Sequence, residues 1–494
     1  MSLEALPTEL VAQILENVQT SGSRYNCLLV CRRFYDLMQP LIYRELNIPF
    51  LRLNRLVTLV RAVRKHTHLS EHTRSLTIGE DPYDPKRTVE RLIGRDDISK
   101  LFPGLRKVQL YAMTFERGMM YRFLAYCARM PALEELVLQY PDLVPLVQPI
   151  SGLKKLTWSV TMDEDSPVFR SEEGREETAW IQNRFVASLG MYCPALESLE
   201  LGCLGREAQW GIADRQDAEF DATARMEVES VRLEKLREFA WRAGEGMAAA
   251  STWSIAVAVL LAEHAAQLET LRWELAGSTA SATQLLSWLP YTKAVRRLEL
   301  QFWPGCFIEV ADGDGEYVVL PLGSLLAQKI EAWWCPVLQE VCLRYSVISG
   351  SCGEQVRVLQ ALHCAKQLRR LEVTFGVPMS KAGPTATARG SNPGDTELLC
   401  WYFDEVKMTE FLESLPPSLE SLVVNFDGKH DVLDGFERYE FEQQHDNPLP
   451  EWEEEYKARV KEMVNQTKSI PRKVLFDRLP NLREAFIGGY DLVD

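Results

Sequence analysis

The chain has 494 residues, of which 46% are hydrophobic and 25% charged, and its formal net charge at pH 7 is −15. This length exceeds the limit of about 250–300 residues at which a single hydrophobic core stops growing, so several domains or a repeating array are expected. The acidic balance argues against nucleic acid as the main partner, because phosphate binding requires a positive field.

Targeting signals and cysteine usage indicate the compartment. A secretory signal begins with basic residues followed by an apolar run. The N-terminal residues instead include the acids Glu4 and Glu9, with no basic residues before an apolar run, so no secretory signal is predicted. The longest apolar stretch, residues 253–262, is too short to span a bilayer, so no membrane partner is expected. Eleven cysteines without any Cys-x-x-Cys pair fit a reducing compartment. We therefore expect a protein of the cytoplasm, the nucleus or both, with its thiols acting as small buried hydrophobes.

The first predicted elements are short helices. Residues 6–18 have Pro7 near the first turn and apolar side chains at 10, 11, 14, 15 and 18, the spacing of one buried helix face. Residues 19–23 end that helix, and a second apolar run at 27–31 leads into a third segment around Pro40. A module this small cannot bury all of its apolar surface, so part of it is expected to meet a partner or the next domain.

This module resembles an F-box. The resemblance depends on three motifs, which are Leu6-Pro7-x-Glu9-Leu10, Ile14-Leu15-x-x-Val18 and Leu29-Val30-Cys31-Arg32-Arg33-Phe34, and residues 39–46 resemble the tail of fungal members of the family. It implies docking onto a Skp-type adaptor, which joins such proteins to a cullin and a RING subunit in an SCF ubiquitin ligase. Carried over by position, the adaptor-binding residues are Leu6, Pro7, Leu10, Ile14, Leu15, Leu28, Val30 and Phe34. The alternative is a bare three-helix cap that packs onto the following repeats.

After the module, one pattern recurs: an apolar helix, a polar turn and then Leu-x-x-Leu-x-Leu. Its copies begin at Leu105, Leu133, Leu153, Leu196, Leu236, Leu268, Val295, Leu338, Leu368, Leu419 and Leu482, with a poorer copy at Thr73. Alternating helix and strand at such a period predicts stacked units with a parallel inner sheet and outer helices. The copies lack the regular Asn of the motif and resemble the divergent leucine-rich repeats of fungal F-box proteins. The predicted fold is therefore α/β, with a helical F-box at residues 1–48 and an irregular leucine-rich-repeat horseshoe at residues 49–494.

Alternation along each strand predicts which side chains are buried. The motif leucines, such as Leu136, Leu199, Leu298 and Leu371, are expected in the core, and their neighbours Glu135, Glu200, Arg297 and Arg370 on the accessible concave face. Five arginines on that face are expected to align into a basic row that binds an acidic or phosphorylated target, unless interleaved glutamates neutralise it. These predicted target-binding residues are Arg242, Arg272, Arg297, Arg344 and Arg370.

Four insertions are predicted between the repeats, near residues 163–177, 304–322, 376–397 and 427–455. The first and last carry net charges of −5 and −9 and are expected to be solvated. Residues 304–322 contain two β-rich runs around a Gly-Asp turn, which predict a hairpin.

The sequence contains no nucleophile elbow, P-loop, His-Glu-x-x-His or dinucleotide fingerprint. We therefore expect no enzyme, no cofactor and no metal. The predicted function, from the F-box resemblance, is that of a noncatalytic substrate receptor linking an unidentified target protein to an SCF-type ligase. The alternative is an interaction scaffold with leucine-rich repeats and no role in ubiquitin ligation.

Overall fold

The computed structural model describes most of the helical module and the strand of every predicted repeat. The described residues are 6–18, 20–48, 53–65, 67–79, 97–111, 116–140, 144–161, 184–204, 231–243, 260, 263–275, 291–302, 308–311, 317–320, 327–328, 330, 337–345, 359–376, 415–427, 477–487 and 490–491.

Three helices form the N-terminal module, as predicted. They are α1 (Thr8–Glu16), α2 (Ser21–Leu28) and α3 (Arg32–Arg44). Pro7 precedes the first turn of α1, where its missing N–H costs no helical hydrogen bond. Thr20 caps α2, because its hydroxyl oxygen accepts a hydrogen bond from the backbone N–H of Ser23 at 3.2 Å. Helix α3 contains Pro40 in its interior.

The module continues directly into the first strand. Helix α3 ends at Arg44, and β1 (Glu45–Ile48) starts at the next residue. Strand β1 pairs in parallel with β2 (Ser75–Gly79), with Leu46 opposite Leu76. Helices α4 (Leu53–Lys65) and α5 (Thr67–Ser70) connect the two strands. The last residues of the segment predicted as the module, 45–48, thus belong to the sheet.

The chain forms two compact units, one of residues 1–204 with 218–236 and one of residues 205–217 with 237–494. In the first unit, β1 to β6 lie in sequence order, and each pairs in parallel with the next. Residues 184–192 are helical. The remaining elements of this unit are α6 (Ile98–Leu101), β3 (Lys107–Tyr111), α7 (Arg117–Ala128), β4 (Glu135–Tyr140), β5 (Lys155–Thr161) and β6 (Ser198–Leu204).

The second unit repeats the parallel arrangement. Its strands are β7 (Glu238–Ala243), β8 (Thr270–Leu275), β9 (Arg297–Phe302), β10 (Ile308–Ala311), β11 (Tyr317–Leu320), β12 (Glu340–Tyr345), β13 (Arg370–Gly376), β14 (Ser421–Asp427), β15 (Glu484–Ile487) and β16 (Tyr490–Asp491). Strands β7, β8, β9, β12, β13, β14 and β15 pair in parallel in this order, and β16 is antiparallel to β15. Strands β10 and β11 form the predicted antiparallel hairpin.

Backbone hydrogen bonds link successive repeats without an asparagine ladder. The N–H groups of Glu134 and Glu135 both donate to the carbonyl of Arg106, at 2.8 and 2.9 Å. Lys154 and Lys155 donate in the same way to the carbonyl of Glu134. Equivalent pairs of bonds start the other strands from β3 to β6, β8, β9 and β12 to β15. These shared carbonyls pair the backbone at the start of each strand with the preceding repeat.

The predicted alternation is confirmed at the motif leucines, since Leu136, Leu199, Leu298 and Leu371 are 0% exposed. Their neighbours Arg297 and Arg370 are exposed, and Glu135 is partly exposed. The prediction is wrong for Glu200, which is buried. Its partner in the register is Thr157, which is also buried, so this part of the strand face is closed to solvent.

The helices pack on the leucine side of the strands. In the first unit, Trp158 of β5 contacts Phe185 of the 184–192 helix edge to face, with ring centroids 4.9 Å apart. Phe123 and Cys127 of α7 are fully buried. A helical N-terminus followed by repeated α/β units with parallel strands agrees with the predicted fold class, and the arrangement is like that of leucine-rich repeats.

Of the predicted insertions, 304–322 is described in part, through its hairpin. Insertion 163–177 lies outside the described residues, as do 376–397 after Gly376 and 427–455 after Asp427.

Candidate functional site

The helical module has a small core of its own. Val11 and Leu15 of α1 and Met38 of α3 are buried in it. Partly buried apolar residues pack around these three: Leu6, Cys27, Leu28, Phe34, Leu37 and Leu41. All nine residues of this cluster belong to the module.

Helix α1 has apolar residues on its outer side as well. Leu10 and Ile14 are 46% and 48% exposed, whereas Val11 and Leu15 are 1% and 2% exposed. The prediction of a single buried face is therefore wrong for Leu10 and Ile14. The apolar stripe of α1 is wider than the surface that two other short helices can cover, so one edge of it stays in contact with water.

More exposed apolar side chains follow along the module. Tyr25, Leu29, Val30 and Tyr35 are all exposed, Leu29 by 71% and Val30 by 65%. Among the described residues, ten large hydrophobic side chains are exposed, and six of them lie between residues 10 and 35. The remaining four are Val147, Met191, Tyr291 and Phe486. Such a concentration is typical of an interaction surface, whereas single exposed hydrophobics are ordinary.

Arg33 holds the start of α1 against α3. Its Nη2 donates hydrogen bonds to the carbonyl of Leu6 at 2.6 Å and to the hydroxyl of Thr8 at 3.2 Å. Because Leu10 follows Thr8 within the same helical turn, these bonds fix where the outer face of α1 lies. The sequence contained this arginine inside the Cys31-Arg32-Arg33-Phe34 motif, but nothing in the motif indicated its partners.

The predicted adaptor-binding residues divide between the core and the surface of the module. Pro7, Leu10, Ile14 and Val30 are exposed. Leu6, Leu28 and Phe34 are partly buried and pack against the core. Leu15 is buried in the core of the module. The exposed residues that sequence reasoning missed are Tyr25, Leu29 and Tyr35.

The five predicted target-binding arginines lie on the strands of the second unit, and glutamates lie close to Arg272, Arg297, Arg344 and Arg370. Arg272 lies 3.2 Å from Glu299, and Nε of Arg297 donates to Glu299 at 2.6 Å. Arg344 and Arg370 lie 3.8 and 3.5 Å from Glu372. Arg242, the fifth, is exposed at the end of β7.

Strand register corrects the prediction of one basic row. Arg297 is opposite Glu340, which is opposite Arg370. Arg272 occupies the row of Glu299 and Glu372, two residues further along the strands. Arg344 is opposite Gln301, two residues further again. The arginines therefore occupy three rows of the strand face, with glutamates between them, and their charges are largely neutralised.

Two buried thiols have low reactivity. Burial raises the pKa of Cys193 to about 12, and it also raises the pKa of Cys127. These two behave as small core hydrophobes, as predicted. Within the described ranges, no group of three or more His, Cys, Asp or Glu residues is arranged to hold a metal ion.

The N-terminal segment is similar to a known protein family. Residues 3–49 match the model of the F-box-like family, over the segment that forms α1 to α3 and β1. No curated protein matches the chain. The part of the chain that the structure describes contains no helix with the length and hydrophobicity of a membrane span.

Proposed function

We propose that the chain is a noncatalytic substrate receptor, which docks through its F-box-like module onto a Skp-type adaptor and thereby onto the cullin and RING subunits of an SCF-type ubiquitin ligase. The observation that carries this proposal is the concentration of exposed apolar side chains inside the segment that matches the F-box-like family. No cofactor is required, since a receptor of this kind acts by bringing target and ubiquitin-loaded enzyme together.

The proposed contact surface consists of Pro7, Leu10, Ile14, Leu29 and Val30. Leu10 and Ile14 are one helical turn apart, so both project from the same side of α1. Leu29 and Val30 lie in the turn between α2 and α3. Apolar side chains such as these contribute to affinity through the apolar area that a partner removes from water.

The junction with the repeats supports the receptor role. No linker separates α3 from β1, and the N–H of Arg74, just before β2, donates to the carbonyl of Arg44 at 2.9 Å. The last helix of the module is thus hydrogen-bonded to the first repeat, which favours a fixed geometry between adaptor and repeats over a flexible tether. The repeats resemble the leucine-rich repeats of F-box proteins, and we propose them as the target-binding region. The proposed location is the cytoplasm, the nucleus or both.

The experiment is affinity purification of the full chain, with detection of adaptor, cullin and RING subunits by mass spectrometry. The test variant carries Leu10→Glu and Ile14→Glu, and the matched control carries Val147→Glu and Met191→Glu, which charge two exposed apolar residues outside the module. The two glutamates place negative charge in a contact from which water is excluded. This should weaken adaptor binding by about 3 kcal/mol or more, roughly a hundredfold.

We expect the wild type and the control to retain all three ligase subunits and the test variant to lose them. Equal recovery of the adaptor by the test variant would contradict the docking surface. Adaptor recovered from the wild type without cullin or RING subunits would favour the scaffold alternative.

A further inference from the structure

Two strands of the second unit begin with the same short motif. Residues 293–299 and 366–372 both have the form Lys-x-x-Arg-Arg-Leu-Glu. In each copy the motif spans the turn and the first residues of a strand, β9 in one case and β13 in the other. Only β12 lies between these strands; Gln339 precedes it, and Glu340 is its first residue. The two copies are therefore brought close together at one edge of the sheet.

Within each copy, the two arginines have different surroundings. The second arginine turns along its own strand to the motif glutamate, so Arg297 pairs with Glu299 and Arg370 with Glu372. The first arginine precedes the strand and is exposed. The side chain of Arg369 is 64% exposed, and its Nε forms a long ion pair with Glu420 at 3.8 Å. The motif therefore neutralises one arginine on the strand face and leaves the other at the edge.

The edge where β9, β12 and β13 begin is basic. Residues 293–299, 339–340 and 366–372 contain six cations and the carboxylates of Glu299, Glu340 and Glu372, a net charge of +3 in a chain of net charge −15. Neighbouring strands are about 4.8 Å apart, which places the backbone of Arg296 and Arg369 about 10 Å from each other. That span is about three residues of an extended polypeptide.

We infer that this basic edge binds an acidic polypeptide segment, with Arg296, Arg369, Lys293 and Lys366 contacting its carboxylates. The glutamates at the same repeat position on the flanking strands, Glu269 and Glu420, limit the positive region to the three junctions. A short acidic segment fits a region of this size, whereas a long uniform polyanion such as duplex DNA would be repelled at both ends. That the segment belongs to a target protein rests on the proposed receptor role, whereas the binding of an acidic segment at this edge does not.

The experiment measures fluorescence anisotropy of a labelled deca-glutamate peptide titrated with the purified full-length chain at low ionic strength. The test variant is Arg296→Glu with Arg369→Glu. The matched control is Arg237→Glu with Arg483→Glu, which reverses two exposed arginines at the same repeat position on other strands of the unit. A second variant, Arg296→Lys with Arg369→Lys, keeps the charge.

We expect at least tenfold weaker peptide binding by the test variant, a change within twofold for the control and the lysine variant, and weaker binding by the wild type as salt is added. No binding by the wild type, or equal binding by the test variant, would overturn the inference. Equal or tighter binding of duplex DNA would overturn it in favour of a general polyanion site. Adaptor capture by the Arg296→Glu, Arg369→Glu variant should stay unchanged, so failure here leaves the adaptor proposal intact.

Discussion

The helical module and the strand repeats use the same residue types in opposite ways. In the repeats, the leucines of the motif are enclosed, as Leu136 and Leu138 show at 0% exposure. In the module, Leu10 and Ile14 are about half exposed although Val11 and Leu15 of the same helix are buried in a core cluster. An apolar residue therefore stabilises the fold in one region and is available to a partner in the other, and stability measurements should separate the two roles.

The largest effect on the free energy of unfolding is expected for a leucine of the repeats. Leu136→Ala removes a fully enclosed side chain and should cost about 2–5 kcal/mol. Leu10→Ala, the same change in the module, should cost less than about 1 kcal/mol, because half of the side chain is already in water. Urea unfolding monitored by circular dichroism measures both. Equal losses of stability would erase the distinction between the regions.

This distinction shows what the sequence could predict. The strand positions followed from Leu-x-x-Leu-x-Leu, since alternate residues of a strand lie on opposite sides and only one side is buried. The sequence did not show which residues of the proposed adaptor-binding set are buried, because an apolar stripe on a helix does not show which edge faces the module's own core. Leu15 and Leu10 are equally good candidates by pattern, and only the packing of α3 places Leu15 inside.

The arginine row failed for a different reason, and the sequence contained the signal. Counted from the first leucine of each copy, Arg297 and Arg370 are at the third position, Arg272 at the fifth, and Arg242 and Arg344 at the seventh. Parallel register keeps these positions in separate rows, so one continuous row was excluded by the numbering alone. The burial of Glu200 had no such signal, since it depends on what covers that part of the strand face.

An intermediate effect is expected when the attachment of α1 is weakened. Arg33→Lys keeps the positive charge on a side chain one bond shorter, which moves the donor nitrogen away from the carbonyl of Leu6 and the hydroxyl of Thr8. We expect a loss of about 1–3 kcal/mol in adaptor affinity with little change in the unfolding of the repeats. Calorimetric titration with purified adaptor measures the affinity, and Arg32→Lys is the control, as Arg32 is an exposed neighbour. Similar adaptor affinities for both variants would contradict the role of Arg33 in positioning α1.

The smallest expected effect compares two cysteines, one in each region. Partial burial raises the pKa of Cys342 on β12 to about 11; nearby Arg344 lowers it, and Glu372 and Glu299 raise it. At pH 8 only about one thousandth of such a thiol is thiolate, the form that is alkylated. Cys31 in the module is exposed. Iodoacetamide followed by peptide mass spectrometry should therefore label Cys31 well before Cys342, and labelling of Cys342 should accelerate up to about pH 11. Faster labelling of Cys342 at pH 8 would contradict its described environment.

Hydrogen exchange of the full chain, with and without a purified Skp-type adaptor, tests the docking surface most directly. Adaptor binding is predicted to slow exchange in peptides covering residues 7–18 and 28–35 and to leave peptides from β3 to β6 unchanged. Protection confined to the strands, or no protection in the module at saturating adaptor, would contradict the assignment of its exposed apolar residues to adaptor binding.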